Sequence, residues 1–491
     1  MPRQVNQKAV VAVVYICGML MNSLDSTIVT VALATLSREF NISTASIDGV
    51  VVGYLVSLAV FIPASGWLGD RFGTKRIFLL ALALFTTASA LCGLSGSFGQ
   101  LVLFRVLQGA GGGMLTPVGT AMLFRAFPPE QRVQASRILM FATILGPASG
   151  PILGGVLIEK LSWRWAFYVN VPVGIAAFLF GLAFLHEHRE PTAGRFDLPG
   201  FLLAGVGFAL VMYALSEGPS HGWASPGIVI CGAVGALAIA AFVAVELRTT
   251  EPMVQLHLLG NRLFRTTNLV TLFAAGGFIG VLFLVPLFLQ EVRGASPLAS
   301  GLTTFPEAIG VVCSAQIVAR LYPRIGPRRL MAGGLVGVAT SMALLCTIQL
   351  DSSPWLVRLL MFMIGVGMAY VFLPAQAAGF ATISRASTGR ASTLSSAQRQ
   401  LGAALGVAML SSVLAAVGPT RPGTDGSVQP HLMAYRAAFL VAAAFALTAA
   451  LIALTLSDRD AAATMRAEPG GHLPTGVQSA ASAQEVITSS G

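Results

Sequence analysis

The run Gly146-Pro147-Ala148-Ser149-Gly150-Pro151-Ile152-Leu153-Gly154-Gly155 lies inside a long apolar segment of a 491-residue chain. Gly146, Gly150 and Gly154 recur every fourth residue, so on a helix they form one groove without side chains. In a bilayer such a groove lets a neighbouring helix approach closely. Pro147 and Pro151 each remove a backbone donor and weaken the helix where the groove lies. The stretch therefore reads as a kinked, closely packed spanning helix, a conformational element more than a ligand site.

Composition agrees with a membrane setting. The chain is 55% hydrophobic and only 10% charged, with a mean hydropathy of +0.78. An ordinary soluble domain carries roughly 25% charged residues. Apolar runs between charged or turn-rich breaks define about fourteen spans of the length a bilayer requires. They centre near Ile16, Leu55, Leu84, Leu115, Leu145, Ala176, Val206, Val234, Phe278, Val311, Val338, Ile364, Val407 and Ala446. Cys17, Cys92, Cys231, Cys313 and Cys346 all fall in apolar runs without metal-ligand spacing, and read as packing residues.

Placing the N-terminus in the cytoplasm puts Lys8, Lys75, Arg76, Arg125, Arg132, Arg137, Arg262, Arg328, Arg385, Arg390 and Arg399, among others, on the inner side. Only Arg38, Lys160, Arg164, Arg293, Arg358, Arg421 and Arg436 fall outside or near the outer face. That asymmetry satisfies the positive-inside rule for a plasma membrane protein with both termini inside. It also accounts for the net charge of +10, so no nucleic-acid partner is needed to explain it.

The chain repeats itself. One sequence offset carries Arg71-Phe72-Gly73-Thr74-Lys75-Arg76 onto Arg324-Ile325-Gly326-Pro327-Arg328-Arg329, Arg105 onto Arg358, and Arg137 onto Arg390. The expected organisation is an all-α polytopic protein with an N-terminal six-helix half over 1–187 and a C-terminal half over 263–457. Two inserted helices occupy 188–262, and 458–491, rich in small residues, reads as a disordered cytoplasmic tail. Parallel repeats of this kind build a central site between two rocking halves.

Asp25 lies deep in the first span, where an ionisable group is a functional candidate by default. At 1.5 Å per residue it sits about 10 Å below the outer face, and Arg105 in the fourth span about 8 Å below it. The two can share a cavity. Pairing and burial then pull on the carboxylate in opposite directions, so it can load and release a proton as water access changes. The bland alternative is a static pair that fixes helix register. Glu307, after Pro306, is the other intramembrane carboxylate, a candidate for coupling or substrate contact. Asp48 and Glu217 lie nearer span ends.

Gly66-Trp67-Leu68-Gly69-Asp70-Arg71-Phe72-Gly73-Thr74-Lys75-Arg76 forms the tight loop between spans two and three. Its glycines allow a sharp return, and its charges can cap helix ends or pair across the halves. Gly109-Ala110-Gly111-Gly112-Gly113 sits mid-span, where helix packing explains it and nucleotide binding does not. His186-Glu187-His188 reads as a solvated loop rather than a metal site. No nucleotide-binding signature marks an ATP motor.

At these residues the chain resembles the major facilitator superfamily, in particular its fourteen-helix drug:proton antiporter branch. The segment around Asp25 is similar to that branch's first-helix signature, and Gly66 to Arg76 to the superfamily loop. Leu103-Phe104-Arg105-Val106-Leu107-Gln108-Gly109 resembles the fourth-helix motif, and Gly146 to Gly155 the fifth-helix antiporter motif. Trp163 to Pro172 resembles the lead into helix six. The resemblance implies alternating access in a lipid bilayer, with protons entering as an amphipathic compound leaves. No cofactor or obligate protein partner is implied, since the proton gradient supplies the energy. It further implies Asp25 and Arg105 as coupling residues. Gly66, Asp70, Arg71, Gly73 and Arg76 fall in the gate loop, and Gly146, Pro147, Gly150, Pro151, Gly154 and Gly155 in a hinge and seal. Departures from the pattern are Thr30 and Ala34 in the first helix and Pro323 at the repeated loop's acid position. Leu401 to Ala416 also lacks an acid, which disfavours dicationic substrates.

The runner-up on this architecture is a facilitator for a lipid or metabolite, against which the Gly-Pro helix argues. A membrane enzyme would need a nucleophile and a base at matching depth, and no buried His accompanies an inward Ser.

Overall fold

The computed structural model describes residues 6–42, 47, 49–190, 196–249, 252–418, 420–422 and 428–465. Fourteen long helices carry the chain: α1 (Gln7–Phe40), α2 (Gly49–Phe72), α3 (Thr74–Leu94), α4 (Phe98–Ala126), α5 (Arg132–Lys160), α6 (Asn170–Phe184), α7 (Leu198–His221), α8 (Pro226–Arg248), α9 (Arg262–Leu287), α10 (Pro306–Ile325), α11 (Pro327–Leu344), α12 (Pro354–Gly379), α13 (Thr388–Val417) and α14 (Leu432–Leu454). Each expected span centre falls within its own helix. Thirteen of the described helices are long and apolar enough to cross a membrane. The other, α5, has 29 residues and no charged side chain from Ile138 to Ile158. Between α13 and α14 lies a short antiparallel ribbon of β1 (Thr420–Pro422) and β2 (Val428–Pro430), with Arg421 opposite Gln429.

Local chemistry starts these helices where the sequence changes character. Asn6, Ser97, Asn261 and Ser353 each cap a helix by accepting from a backbone N–H of its first turn, which satisfies donors that the helix itself cannot. Glycines then set which faces meet. On α4, a Cβ at Gly109 or Gly113 would collide with the backbone carbonyls of Tyr54 and Leu58 on α2, and one at Gly111 would lie 2.8 Å from Phe85 N on α3. One glycine-rich run therefore serves two close helix contacts, and helix packing accounts for it.

The repeat is visible in the packing. In the first half α1 lies along α5, and α4 against both α2 and α3; in the second, α9 lies along α13, and α12 against both α10 and α11. Gly365 and Gly367 on α12 approach α10 and α11 as the α4 glycines approach α2 and α3. The inserted pair covers one seam between the halves, since α7 packs on α2 and on α13 with α8 behind it. Phe61 meets Phe201 edge-on at 6.3 Å, and Trp223 Nε1 donates to Ser412 Oγ at 2.7 Å.

The structure corrects several expectations. Arg399, expected on the inner side, is the twelfth residue of α13, and Arg390 lies in that helix's first turn. The helical assignment of α5 runs unbroken through 147 and 151. The bundle continues past residue 457, because Asp458 Oδ1 accepts from Arg328 N at 2.9 Å and the Tyr322 hydroxyl meets Thr464 Oγ1 at 2.7 Å. Asp48 and the remainder of the expected tail, 466–491, lie outside the described residues.

Candidate functional site

Asp25 and Arg105 meet. Arg105 Nη1 donates to Asp25 Oδ2 in a buried ion pair, and both residues are 0% exposed. The agreement in estimated depth on two separate helices was therefore a real contact. Two neutral side chains complete the carboxylate's shell. Gln108 Nε2 donates to Asp25 Oδ1 at 2.7 Å, and Asn170 Nδ2 approaches the same oxygen at 3.4 Å. Gln108 stands one turn after Arg105 on α4 and accepts from Arg105 Nη1 at 2.8 Å. Asn170 opens α6 and also donates to Ser89 Oγ on α3, at 3.2 Å.

The guanidinium is held equally closely. Arg105 Nε donates to the Val50 carbonyl at 3.2 Å, and the Tyr54 ring lies beneath it at 4.1 Å, where the aromatic face favours a cation. The Tyr54 hydroxyl donates to Asn22 Oδ1 at 2.6 Å. A buried charge is tolerable only when paired and hydrogen-bonded, and helices α1, α2, α3, α4 and α6 together meet that condition. Sequence reasoning found the two charges but not Gln108, Asn170, Tyr54 or Ser89. Gln108 and Asn170 stood inside motifs already singled out; their role was hidden because neutral amides in an apolar run give no signal of what they face.

A second buried pair lies at the bundle end that carries the N-terminus. Arg125 Nη2 donates to Asp70 Oδ1 at 2.7 Å, both side chains being almost fully buried. Here the two halves close on each other. A Cβ on Gly389 of α13 would lie 2.6 Å from Asp70 Oδ1, and one on Gly66 would collide with Thr393 Oγ1. Arg125 Nε donates to the Arg385 carbonyl at 3.3 Å. Ser392 Oγ donates to the Pro117 carbonyl at 2.7 Å, and Phe124 stacks on Phe380 at 4.4 Å. Arg71, expected as a gate contact beside Asp70, is exposed and takes no part in these described bonds; the cation paired with Asp70 is Arg125.

Gly73 turns the chain between α2 and α3 at φ +105°, a region that favours glycine. The following helix end is capped from a distance. Glu187 Oε1 accepts from Lys75 N at 3.0 Å, Oε2 accepts from Arg76 N at 3.3 Å, and the Arg76 side chain pairs with the same carboxylate at 3.7 Å. A carboxylate suits the positive end of the helix dipole. His186-Glu187-His188 is thus tied to the start of α3 rather than a free loop. Desolvation, with Arg125 nearby, lowers the His188 imidazole below its usual value.

The glycine groove of α5 faces α1. Cβ atoms at Gly146 and Gly150 would collide with Ser23 and Thr27, and one at Gly154 would lie 3.4 Å from Ile28. Gly155 has nothing within 4 Å and is not part of the contact. The groove therefore holds the helix that carries Asp25. Side chains at Pro147 and Pro151 lie outside the description.

Glu307 starts α10 and is 3% exposed, with Oε1 lacking a hydrogen-bond partner. Its backbone is crossed closely by Gly365 of α12. It belongs to the other half, and none of the hydrogen bonds described around Asp25 reaches it.

The chain is similar to known proteins in sequence and in fold. The chain is 34% identical to the multidrug resistance protein B homolog of Mycobacterium tuberculosis, over 82% of this chain and 75% of that protein. It is likewise 34% identical to the protein named MdtD in Salmonella heidelberg, over 85% of this chain and 89% of that one. Among solved structures, the human organic anion transporter MFSD10 superposes with a TM-score of 0.66 at 16% identity, covering 92% of this chain and 100% of that chain. The proton:xylose symporter XylE superposes at 0.64 and 14% identity, covering 94% and 100%. At such identities these two matches speak to the fold. Residues 15–407 match the family description of the Major Facilitator Superfamily, and with two helical halves, an inserted helix pair and buried charges on the inner helices, the chain belongs to that superfamily.

Proposed function

We propose that this protein is a proton-driven exporter of hydrophobic or amphipathic small molecules, a multidrug efflux transporter of a bacterial-type plasma membrane with both termini in the cytoplasm. The names of its relatives support efflux, and the excess of basic residues at the Asp70 end supports that orientation. The observation that carries proton coupling is the fully buried Asp25 carboxylate, held by Arg105, Gln108 and Asn170. A proton arriving from the outer side converts that carboxylate from a pure acceptor into a neutral acid. The charge holding Arg105 is then gone, and the guanidinium must be satisfied elsewhere.

In this reading the halves close at the cytoplasmic end, with Asp70–Arg125 as the clasp, and substrate leaves toward the outside. Opening that end requires the Gly66–Gly389 contact and its flanking hydrogen bonds to part. Glu307, buried in the other half with a free oxygen, is a second carboxylate able to meet a proton or a substrate group. The α1–α5 contact along Gly146, Gly150 and Gly154 makes Asp25's helix move with α5, so protonation is felt along the interface between halves.

The test is proton movement in liposomes holding the purified full-length protein. An imposed proton gradient should drive uptake of N-phenyl-1-naphthylamine into inside-out-oriented vesicles, with proton release measured in parallel. Asp25→Asn should abolish gradient-driven movement, with downhill exchange retained. Gradient-driven transport at the wild-type rate in Asp25→Asn would remove the coupling role from Asp25.

A further inference from the structure

Within the first half of α13 the apolar pattern breaks at Gln398-Arg399-Gln400. Arg399 stands eleven residues past Thr388, the first residue of the helix, about 17 Å along its axis at 1.5 Å per residue. That depth is near the middle of a hydrocarbon layer about 30 Å thick. A guanidinium there is costly, and such residues line polar paths or pair with a counter-charge.

Among the described residues no carboxylate forms an ion pair with Arg399. Its electrostatic neighbour is Tyr15 of α1. Arg399 is half-buried rather than sealed. Around it α13 is tied to both halves. Two residues back, Ala397 packs on the core that contains Tyr15, Phe78 and Val118; one and two turns on, Gly402 and Gly406 lie against the backbone of α9 at Leu272 and Gly276. The helix that carries Arg399 thus packs on α2 and α4 of the first half and on α9 and α14 of its own.

The contrast with Arg105 is instructive. Arg105 is saturated by Asp25, Gln108, Val50 and the Tyr54 ring. Arg399 carries the same permanent charge, because a guanidinium does not deprotonate in proteins, and faces a neutral phenol. It is no proton carrier. A group that supplies a negative charge and two acceptors in a plane would complete it.

We propose that Arg399 is the recognition point for the anionic group of an amphipathic substrate, a carboxylate or sulfonate bound between α1, α4, α9 and α13. This deepens the reading of the protein as a transporter of amphipathic molecules and rests on it for the substrate's apolar part. The charged head meets Arg399 with Tyr15 beside it, and the apolar body lies against the helix faces between the halves. A cation of the same shape is repelled at that point.

Binding of 8-anilinonaphthalene-1-sulfonate and of its neutral analogue N-phenyl-1-naphthylamine isolates the charge on nearly one skeleton. Both are titrated by fluorescence into the full-length protein in nanodiscs, with empty nanodiscs subtracted. Arg399→Gln should weaken sulfonate binding by about tenfold or more, the range of a hydrogen bond to a charged group. It should leave the neutral analogue within about twofold, and Arg399→Lys should fall between wild type and Gln. Equal weakening of both probes, with a lowered melting temperature, would show a tie between helices and overturn the proposal. So would wild-type sulfonate affinity in Arg399→Gln, or no sulfonate binding by the wild type. The measurement uses no gradient, so lost charge discrimination is distinguishable from failed proton-driven export.

Discussion

Two ion pairs among the described residues are buried, and they differ in what surrounds them. Asp25–Arg105 is closed within one half: its donors come from α4 and α6, its carbonyl acceptor and aromatic floor from α2. Asp70–Arg125 also lies within one half, but its outer surface is the other half, with Gly389 of α13 against the carboxylate and Arg385 accepting from the arginine. Breaking the first changes charge in a sealed site. Breaking the second changes how firmly two bodies close. On the proposed reading, burial alone does not separate a chemical site from a mechanical one; what the pair touches beyond itself does.

The largest expected effect comes from unbalancing the first pair. Arg105→Met leaves Asp25 buried without its counter-charge, a change that costs about 3–5 kcal/mol when one partner of a buried pair is removed. The melting temperature in nanodiscs should fall sharply and transport should vanish. Adding Asp25→Asn should restore most of the stability but none of the gradient-driven transport. Recovery of transport in the double variant would make the pair a structural strut and collapse the contrast with Asp70–Arg125.

Asp70→Asn should act differently. Arg125 loses its counter-charge but keeps an oxygen acceptor, so stability should fall by about 1.5–3 kcal/mol, the range of a hydrogen bond to a charged group. Closure should loosen, raising the labelling rate of a reporter Ser392→Cys and lowering transport severalfold with expression intact. Unchanged labelling would show that the clasp does not hold this end closed.

Smaller still is the effect of the supporting cap. Glu187→Gln keeps acceptors for Lys75 N and Arg76 N but removes the charge at the start of α3, worth about 0.3–1 kcal/mol at an exposed helix end. Melting should drop slightly and Ser392→Cys labelling should rise less than in Asp70→Asn. A larger rise than Asp70→Asn produces would place control of this end in the 186–190 segment instead of the ion pair.

Fourteen helices, their order, the repeat and the insertion point were legible along the chain, because hydrocarbon thickness imposes a length and an apolar composition that any spanning helix must show. The partnership of Asp25 with Arg105 was legible for a related reason: two charges in apolar runs are conspicuous, and helical rise converts their positions into depth. The Gly-x-x-x-Gly spacing of α5 likewise announced a close helix contact. Which helix it contacts was decided only in three dimensions, where Ser23 and Thr27 of α1 fill the groove. Tertiary structure also chose Arg125 over Arg71 as the partner of Asp70, brought Gln108 and Asn170 onto Asp25, and seated Glu187 and Asp458 on the turns after α2 and α10. Arg399 shows the limit most plainly. An apolar window that begins at Leu401 leaves it in a loop, whereas packing of Gly402 and Gly406 on α9 and of Ala397 on the first half's core keeps α13 helical through it. Sequence determines how long and how apolar each element must be, since those depend on solvent alone; which polar groups then meet depends on the rotation and register of packed helices, which no single segment carries.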